Sequence, residues 1–354
     1  MKKSFSIFFL TLLIGLLSCG TTAPRSTPEP APVAGSSSTP ESASAPQSSP
    51  VVQLESTPAQ TISVPSGLRV VYIRDGNLWS WTEAGGSVQL TETGDMSSVR
   101  LSDDGQLLAF VRGLEVWTVR MDGTDARFLS RLDKEGSALW FAPDGSLLAI
   151  SMKDHIDVID LNNANSTTVV TYPTLPDGYY PEVVWSPDGL GFKTVIPPQT
   201  ETDQAELIFV FTDGTVASLA KFTMLPVTES LPYISPDGGY IIYVAKLDGD
   251  KESLYLMDSS GATRPYGAPG ENIRAHGWLP DSKQFAFGAE NSQIIYLGNI
   301  GGPPEEIPVD SSSEVRWIDT ETYLTLENSE LALRNINAGK LTIDSDVQTF
   351  DFYP

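Results

Sequence analysis

The sequence of 354 residues is poor in cysteine, histidine and basic side chains. Its one cysteine, Cys19, has no partner in the chain, so an intramolecular disulfide is excluded. Its two histidines, His155 and His276, are too far apart along the chain to favour a paired metal or acid–base site. Lys and Arg number 22 against 45 Asp and Glu, which gives a net charge of −23. Such a surface repels phosphate, so nucleic acid is not expected as a partner.

The chain also lacks an apolar run long enough to cross a bilayer as a helix of about 20 residues. The N-terminal apolar stretch, Phe5–Leu17, has 13 residues and follows Lys2 and Lys3, a pattern typical of an export signal. The sequence LLSC at 16–19 resembles the lipobox of bacterial lipoprotein signal peptides. This resemblance implies cleavage before Cys19 and a diacylglycerol thioether on its sulfur. We therefore expect residues 1–18 to be a lipoprotein signal peptide.

Residues 19–66 are rich in Ser, Thr, Pro and Ala and have few large apolar side chains. Such a segment cannot bury enough apolar surface to offset its ordering entropy, so we expect a lipidated cysteine and a disordered linker. A glycosylated stalk is the alternative for this composition. These features predict an exported protein, lipid-anchored to the cell membrane or the outer membrane and facing the periplasm or the cell exterior. The remaining residues, 67–354, form the folded domain.

A tetrapeptide recurs through this domain. Its copies are SDDG at 102–105, APDG at 142–145, SPDG at 186–189, SPDG at 235–238, LPDS at 279–282 and IDTE at 318–321. Ser or Asp first, Pro second and Gly fourth is the chemistry of a type I turn that returns the chain to a strand. Successive copies lie 39 to 49 residues apart, a period typical of β-propeller blades.

An apolar residue precedes each turn, as in Leu101 and Trp185, and three further short strands follow it. Four strands per repeat make one antiparallel blade, and six copies are complete. Residues 69–91 match strands two to four of another blade, and residues 347–354 match its first strand. We therefore predict an all-β, seven-bladed β-propeller, closed by pairing of the C-terminal strand with the N-terminal partial blade. Six blades remain the alternative if the weak last repeat is not a sheet.

The pentapeptide Trp185-Ser186-Pro187-Asp188-Gly189 resembles the WD-like repeat of the TolB-like propeller family. The resemblance covers 68–354 and implies the propeller architecture. The matching residues are turn and core residues, so the resemblance transfers no functional residue. The chain also lacks the Gly-x-Ser-x-Gly elbow of the hydrolases that carry similar propellers.

Four long connections, 172–182, 196–205, 222–232 and 246–252, are expected on one face of the propeller. Long loops on a rigid scaffold commonly carry recognition, and aromatic side chains are enriched at interfaces. Candidate binding residues in these connections are Tyr172, Tyr179, Tyr180, Phe222 and Met224. The alternative is that these side chains fold down over the blade ends.

Asp248, Asp250 and Glu252 alternate along one of these connections, a spacing that can ligate calcium. The loop lacks the continuation of an EF-hand, so an acidic hairpin tip is the favoured interpretation and no metal is predicted. No catalytic residue and no cofactor are predicted either, because the sequence shows no nucleophile motif and no paired histidines.

Together these features predict a monomeric, membrane-anchored lipoprotein of the cell envelope. Its propeller is expected to act as a scaffold for recognition of envelope proteins or glycans. Two other functions stay open. One is an enzyme, a hydrolase or lyase, with its site at the mouth of the central channel. The other is a sensor of carbohydrate or another small ligand.

Overall fold

The computed structural model describes residues 62–200, 202–247, 251–289, 294–307 and 314–354. All of these residues belong to one compact unit, Thr57–Pro354. They form seven four-stranded antiparallel sheets arranged in a ring, which is the predicted seven-bladed β-propeller. The described residues form no helix that could span a membrane.

The strands are numbered along the chain, and blade 1 contains both chain ends. Blade 1 consists of β28 (Val347–Tyr353), β1 (Arg69–Arg74), β2 (Asn77–Thr82) and β3 (Gly86–Gln89). The strands of blades 2 and 3 are β4 (Met96–Leu101), β5 (Leu107–Arg112), β6 (Glu115–Arg120), β7 (Arg127–Arg131), β8 (Ala138–Phe141), β9 (Leu147–Ser151), β10 (His155–Asp160) and β11 (Asn165–Thr171).

The other four blades follow the same order, with strand one innermost. The strands of blades 4 and 5 are β12 (Val184–Trp185), β13 (Gly191–Ile196), β14 (Ala205–Phe211), β15 (Val216–Phe222), β16 (Tyr233–Ile234), β17 (Tyr240–Lys246), β18 (Glu252–Asp258) and β19 (Thr263–Gly270). The strands of blades 6 and 7 are β20 (Ile273–Trp278), β21 (Gln284–Ala289), β22 (Ile295–Asn299), β23 (Gly302–Ile307), β24 (Glu314–Trp317), β25 (Thr322–Glu327), β26 (Glu330–Asn335) and β27 (Lys340–Asp344).

The C-terminal strand closes the ring as predicted. β28 pairs antiparallel with β1, with Phe350 opposite Tyr72 and Phe352 opposite Val70. The last strand of the chain is therefore the innermost strand of the first blade. Closure of this kind removes the unpaired strand edges that an open array of sheets would expose. The weak repeat at 314–344 is a complete sheet, so the six-bladed alternative is wrong.

The repeated tetrapeptides form the predicted turns. In blade 4, Gly189 N donates to Ser186 O at 2.9 Å, and Ser186 Oγ donates to Asp188 Oδ1 at 2.6 Å. Gly189 has φ +68°, a left-handed conformation that glycine adopts without steric cost. In the degraded copy of blade 6, Ser282 adopts φ +57° at the same position, so the turn survives the loss of glycine.

The core consists of seven apolar clusters, and each lies between two neighbouring blades. The apolar residue before each turn packs against the preceding blade, so Trp185 joins the cluster between blades 3 and 4. Its indole Nε1 also donates to Trp140 O of blade 3 at 3.1 Å. Trp278 makes the same bond to Tyr233 O between blades 5 and 6, at 3.0 Å. Inter-blade packing thus explains why an aromatic residue recurs at this position.

Because consecutive strands are antiparallel, the connections alternate between two faces. The turn face carries the turns between strands one and two and between strands three and four. The long-loop face carries the connections between strands two and three and those from each blade to the next. Both ends of the folded domain lie at the turn face: Arg69 Nη1 donates to Gly105 O at 3.1 Å, and the Tyr353 ring covers Gly105.

Candidate functional site

The predicted aromatic side chains on the long-loop face are largely part of the core. Tyr179 is only 9% exposed, and it packs with Phe222 and Met224 in the cluster between blades 4 and 5. Burial raises the pKa of Tyr179 above its usual value. These three side chains are not accessible to a partner. The long connections use them to cover the gap between the two blades.

Tyr172 and Tyr180 are half-buried and held in place. The Tyr172 hydroxyl donates to Met152 O at 2.7 Å and approaches His155 O at 3.0 Å. The Tyr180 hydroxyl lies so close to Gly136 that a Cβ there would fall 1.9 Å from it. Both side chains therefore fix the connection from blade 3 to blade 4.

The weak calcium candidates do not come together in the part of the chain that the structure describes. Asp248 and Asp250 lie outside the described residues. Glu252 is buried, and its Oε2 accepts a hydrogen bond of 2.7 Å from Ile273 N of blade 6. No group of three or more His, Cys, Asp or Glu side chains among the described residues is arranged to hold a metal ion.

A cleft of about 640 Å³ opens on the long-loop face between blades 2 and 3. We call it the blade 2–3 cleft. Its floor is formed by β10 and β11, and its walls are the connections that follow β7 and β11. Its lining consists of residues 131–133, Met152, Asp154, His155, Asp157, Thr168 and residues 171–174.

His155 lies between two aspartates in this cleft. Its Nδ1 is 2.7 Å from Asp154 Oδ1, and its Nε2 is 3.7 Å from Asp157 Oδ2. Asp154 also accepts a hydrogen bond of 2.5 Å from Lys134 Nζ, and this bond is the main reason that the pKa of Asp154 lies below its usual value. Thr168 Oγ1 donates to Asp157 Oδ1 at 2.6 Å. Only one oxygen of Asp157 therefore remains free to face the cleft.

A second cluster of charge lies around the central channel, which the first strands of the blades surround. We call it the channel ring. It comprises the residues two positions before each turn, one from each blade: Asp351, Arg100, Trp140, Val184, Tyr233, Gly277 and Arg316. The sequence analysis did not identify this ring, although the alignment on the turns contains it.

Asp351 joins three blades within the channel ring. Its Oδ1 is 3.1 Å from Arg316 Nη1 of blade 7, and its Oδ2 is 3.6 Å from Arg100 Nε of blade 2. The same Oδ2 accepts a hydrogen bond of 2.7 Å from Leu101 N, which would otherwise be an unpaired donor on an edge strand. Arg316 also pairs with Glu314 at 2.8 Å. Despite burial, Glu314 and Asp351 hold the pKa of Arg316 above its usual value.

Glu182, just before β12, interacts electrostatically with Arg100 of the channel ring. Its Oε2 accepts a hydrogen bond of 3.0 Å from Ile234 N of blade 5. Burial raises the pKa of Glu182 to about 7, while the Ile234 hydrogen bond and the charge of Arg100 act in the opposite direction. Tyr179 and Tyr233 are the other titratable groups that interact with it.

The raised pKa of Glu182 predicts a pH-dependent contribution to stability. The pKa of this carboxyl is about 7 in the folded state, against the ordinary value of 4.5, so the protonated carboxyl stabilises the folded state. This stabilisation is lost as the pH rises from 4.5 through about 7. We expect Glu182→Gln to become progressively more stable than the parent over this window. Melting temperatures of both proteins between pH 4 and 8 check this.

Comparing Glu182→Gln with the parent also cancels the pH dependence of other groups, which can oppose that of Glu182. Burial lowers the pKa of His276 to about 4, so the contribution of His276 rises with pH from about 4 to 6.5. His276 is present in both proteins and cancels in the difference. A difference in melting temperature that stays constant from pH 4 to 8 would show that Glu182 titrates normally.

Comparison with known proteins supports the fold. No protein-family model matches the sequence, and no curated protein matches it. A functionally unknown protein from Desulfotomaculum acetoxidans is 12% identical, with coverage of 81% of this chain and 99% of that one and a TM-score of 0.58. Oligogalacturonate lyase from Vibrio parahaemolyticus is 14% identical, with 78% and 85% covered and a TM-score of 0.54. TolB from Acinetobacter baumannii is 14% identical, with 82% and 67% covered and a TM-score of 0.45.

The likenesses to the Desulfotomaculum protein and to the lyase extend over most of each chain. At such identities they show the shared fold and nothing about activity. The fold and the geometry of the two clusters therefore define the class of protein, a closed seven-bladed propeller with a polar cleft on its long-loop face.

Proposed function

We propose that the protein is a lipid-anchored recognition module of the cell envelope that binds a partner with its long-loop face. The observation that carries this proposal is the arrangement of the two faces. Both ends of the propeller lie at the turn face, whereas the long connections and the blade 2–3 cleft lie on the opposite face. A tether attached before β1 would therefore present the long-loop face away from the membrane.

The anchor in this proposal is Cys19. Two or more acyl chains give stable membrane attachment. The exposed residues of the long-loop face include the polar and acidic side chains of Asp177, Gln199, Asp203 and Glu229, beside a few apolar ones such as Leu231 and Leu247. A polar surface of this kind suits reversible recognition better than permanent assembly.

Site-specific photo-cross-linking in cells that carry the full-length protein tests this function. We expect defined adducts from a photo-reactive residue placed at Asp177, Gln199 or Glu229 of the long-loop face. The matched controls are Asp122 and Asp213, exposed positions in turns of the opposite face, and we expect no adducts from them. Adducts confined to the turn face, or adducts from neither face, would contradict the proposal.

Fractionation of cells that carry the Cys19→Ser variant tests the lipid anchor. This variant is expected to leave the membrane fraction, because it lacks the thiol that carries the lipid. Ser38→Ala, in the same linker, is the control and should keep the membrane distribution of the parent. Retention of Cys19→Ser in the membrane would remove the anchor from the proposal but not the recognition face.

A further inference from the structure

We propose that the blade 2–3 cleft binds a saccharide through a pair of neighbouring hydroxyl groups. This inference rests on the proposed function, since it names the ligand class for part of the long-loop face. It follows from three features of the cleft, which are its hydrogen-bonding geometry, its size and its rigidity.

The tautomer of His155 is set by its neighbour. Lys134 holds the carboxylate of Asp154, and a carboxylate only accepts hydrogen bonds. Nδ1 of His155, 2.7 Å from Asp154 Oδ1, must therefore carry the proton. Whenever the ring is neutral, Nε2 is then an acceptor, and it lies 3.7 Å from Asp157 Oδ2.

Asp157 supplies the second acceptor. One of its oxygens is occupied by the hydroxyl of Thr168, and the other, Oδ2, is 3.7 Å from His155 Nε2. This distance is too long for a direct hydrogen bond, so the two acceptors are both available. Two acceptors side by side need two donors side by side. Vicinal hydroxyl groups, about 3 Å apart, provide them with ordinary hydrogen-bond lengths.

Charge argues against the two competing occupants. An ammonium group would be drawn to free carboxylates, but Lys134 already pairs with Asp154 and lies near Asp133, and the basic side chain of Arg131 lines the same cleft. No set of three or more His, Cys, Asp or Glu side chains among the described residues is arranged to hold a divalent cation. A neutral polyhydroxylated ligand meets neither obstacle.

The cleft has a suitable size, and its acceptors are held in advance. Its volume of about 640 Å³ falls within the range of roughly 300–1,000 Å³ that small ligands occupy. Tyr172 fixes the backbone of the connection before β10 by donating to Met152 O, and Asp154 fixes the imidazole. Ordering these groups therefore costs little on binding. The hydroxyls of Thr171 and Thr174 at the rim can accept or donate further hydrogen bonds.

An array of immobilised oligosaccharides, incubated with the full-length protein in mild detergent, tests this inference. Each retained oligosaccharide is then titrated free in solution by calorimetry, with and without a chelator of divalent cations. We expect retention of at least one saccharide with a vicinal diol, unchanged affinity in the chelator, and loss of binding by the analogue that lacks one of the two hydroxyls. Binding that disappears with the chelator would assign the site to a cation and overturn the proposal.

Two variants place the binding in the cleft. His155→Ala and Asp157→Asn should each weaken binding about tenfold or more, since each alters one acceptor of the pair. Asp157→Asn keeps the size and shape of the side chain, so it should fold as the parent does. Equal melting temperatures of variant and parent check this. Glu330→Ala changes the first residue of the third strand of blade 7, the position that His155 occupies in blade 3, and should bind as the parent does.

The outcomes separate this inference from the proposed function. No retained saccharide, or unchanged affinity in both cleft variants, would overturn the inference. If the cross-links of the long-loop face persist in Asp157→Asn under that result, the recognition function stands without the saccharide. If the parent protein also gives no cross-links from the long-loop face, both proposals fail.

Discussion

Phe350→Ala is expected to lower the free energy of unfolding by about 3–5 kcal/mol, the usual effect of removing a buried phenyl ring. Phe350 is 1% exposed and packs between blades 7 and 1, with Tyr72 and Leu333 in the same cluster. The guanidinium of Arg316 also lies over its ring, 4.8 Å from the centroid. The variant therefore weakens both the core and the cation–π contact at the junction where the ring closes. Thermal and denaturant unfolding of the full-length protein measure the effect.

The matched control is Phe128→Ala on β7. This change deletes the same ring, but Phe128 is 46% exposed, so the loss of buried area is only a little more than half as large, without the cavity that a fully buried ring leaves, and the destabilisation should be clearly smaller. A Phe350→Ala protein that unfolds at the same denaturant concentration as Phe128→Ala would contradict the closure seen here. It would mean that β28 contributes little to holding blades 7 and 1 together.

The architecture could be predicted because its signal is local and repeated. A turn such as SPDG at 186–189 depends on four adjacent residues, and the apolar residue before it always faces the preceding blade. Closure could be predicted as well, because the fragments at 69–91 and 347–354 complete each other. Neither inference needed the position of any distant side chain.

Departures from the repeat could not be predicted in the same way. Trp317 occupies the position of Trp185, yet its Nε1 has no hydrogen-bond partner among the described residues. The corresponding carbonyl belongs to Gly277, which has φ +106° beside a β-bulge. A bulge changes the direction of a peptide without a reliable signal in the sequence. The position of the Trp317 indole between two blades was predictable, but the absence of a hydrogen-bond acceptor for its Nε1 was not.

The aromatic candidates show where composition misleads. Tyr179, Phe222 and Met224 lie in long connections, which favoured a role in recognition, but the structure buries them. A long connection that crosses the gap between two blades needs apolar side chains of its own to exclude water from that gap. By contrast, His155 and Asp157 are two residues apart on a strand, so strand periodicity alone places them on one face. That spacing could have identified the cleft.

The channel ring shows what depends on tertiary structure. Arg100, Arg316 and Asp351 occupy the same position in three blades, but one is acidic and two are basic, so no repeat pattern reveals them. Their meeting depends on β28 becoming the inner strand of blade 1, between blades 7 and 2. Once closure is assumed, the alignment places one carboxylate between two guanidinium groups.

Asp351→Ala is therefore expected to be among the most destabilising substitutions on the inner strands. The side chain of Asp351 is 7% exposed, and its removal leaves Arg100 and Arg316 without their shared partner and Leu101 N without an acceptor. Breaking one partner of a buried ion pair costs about 3–5 kcal/mol, and we expect the lower end because the side chains of both arginines are 32% exposed. For a domain of this size, the melting temperature should fall by roughly 5–10 °C.

Salt and a second substitution separate this effect from ordinary surface electrostatics. Buried charges are screened weakly, so the loss in Asp351→Ala should persist at high salt. Glu330→Ala breaks an exposed ion pair with Lys340 on β27, and its melting temperature should match the parent. In a double-mutant cycle, Arg316→Ala should cost much less when Asp351 is already absent. Additive losses would show that these two side chains do not act as a pair, and the carboxylate would then stabilise the ring through Arg100 and Leu101 N.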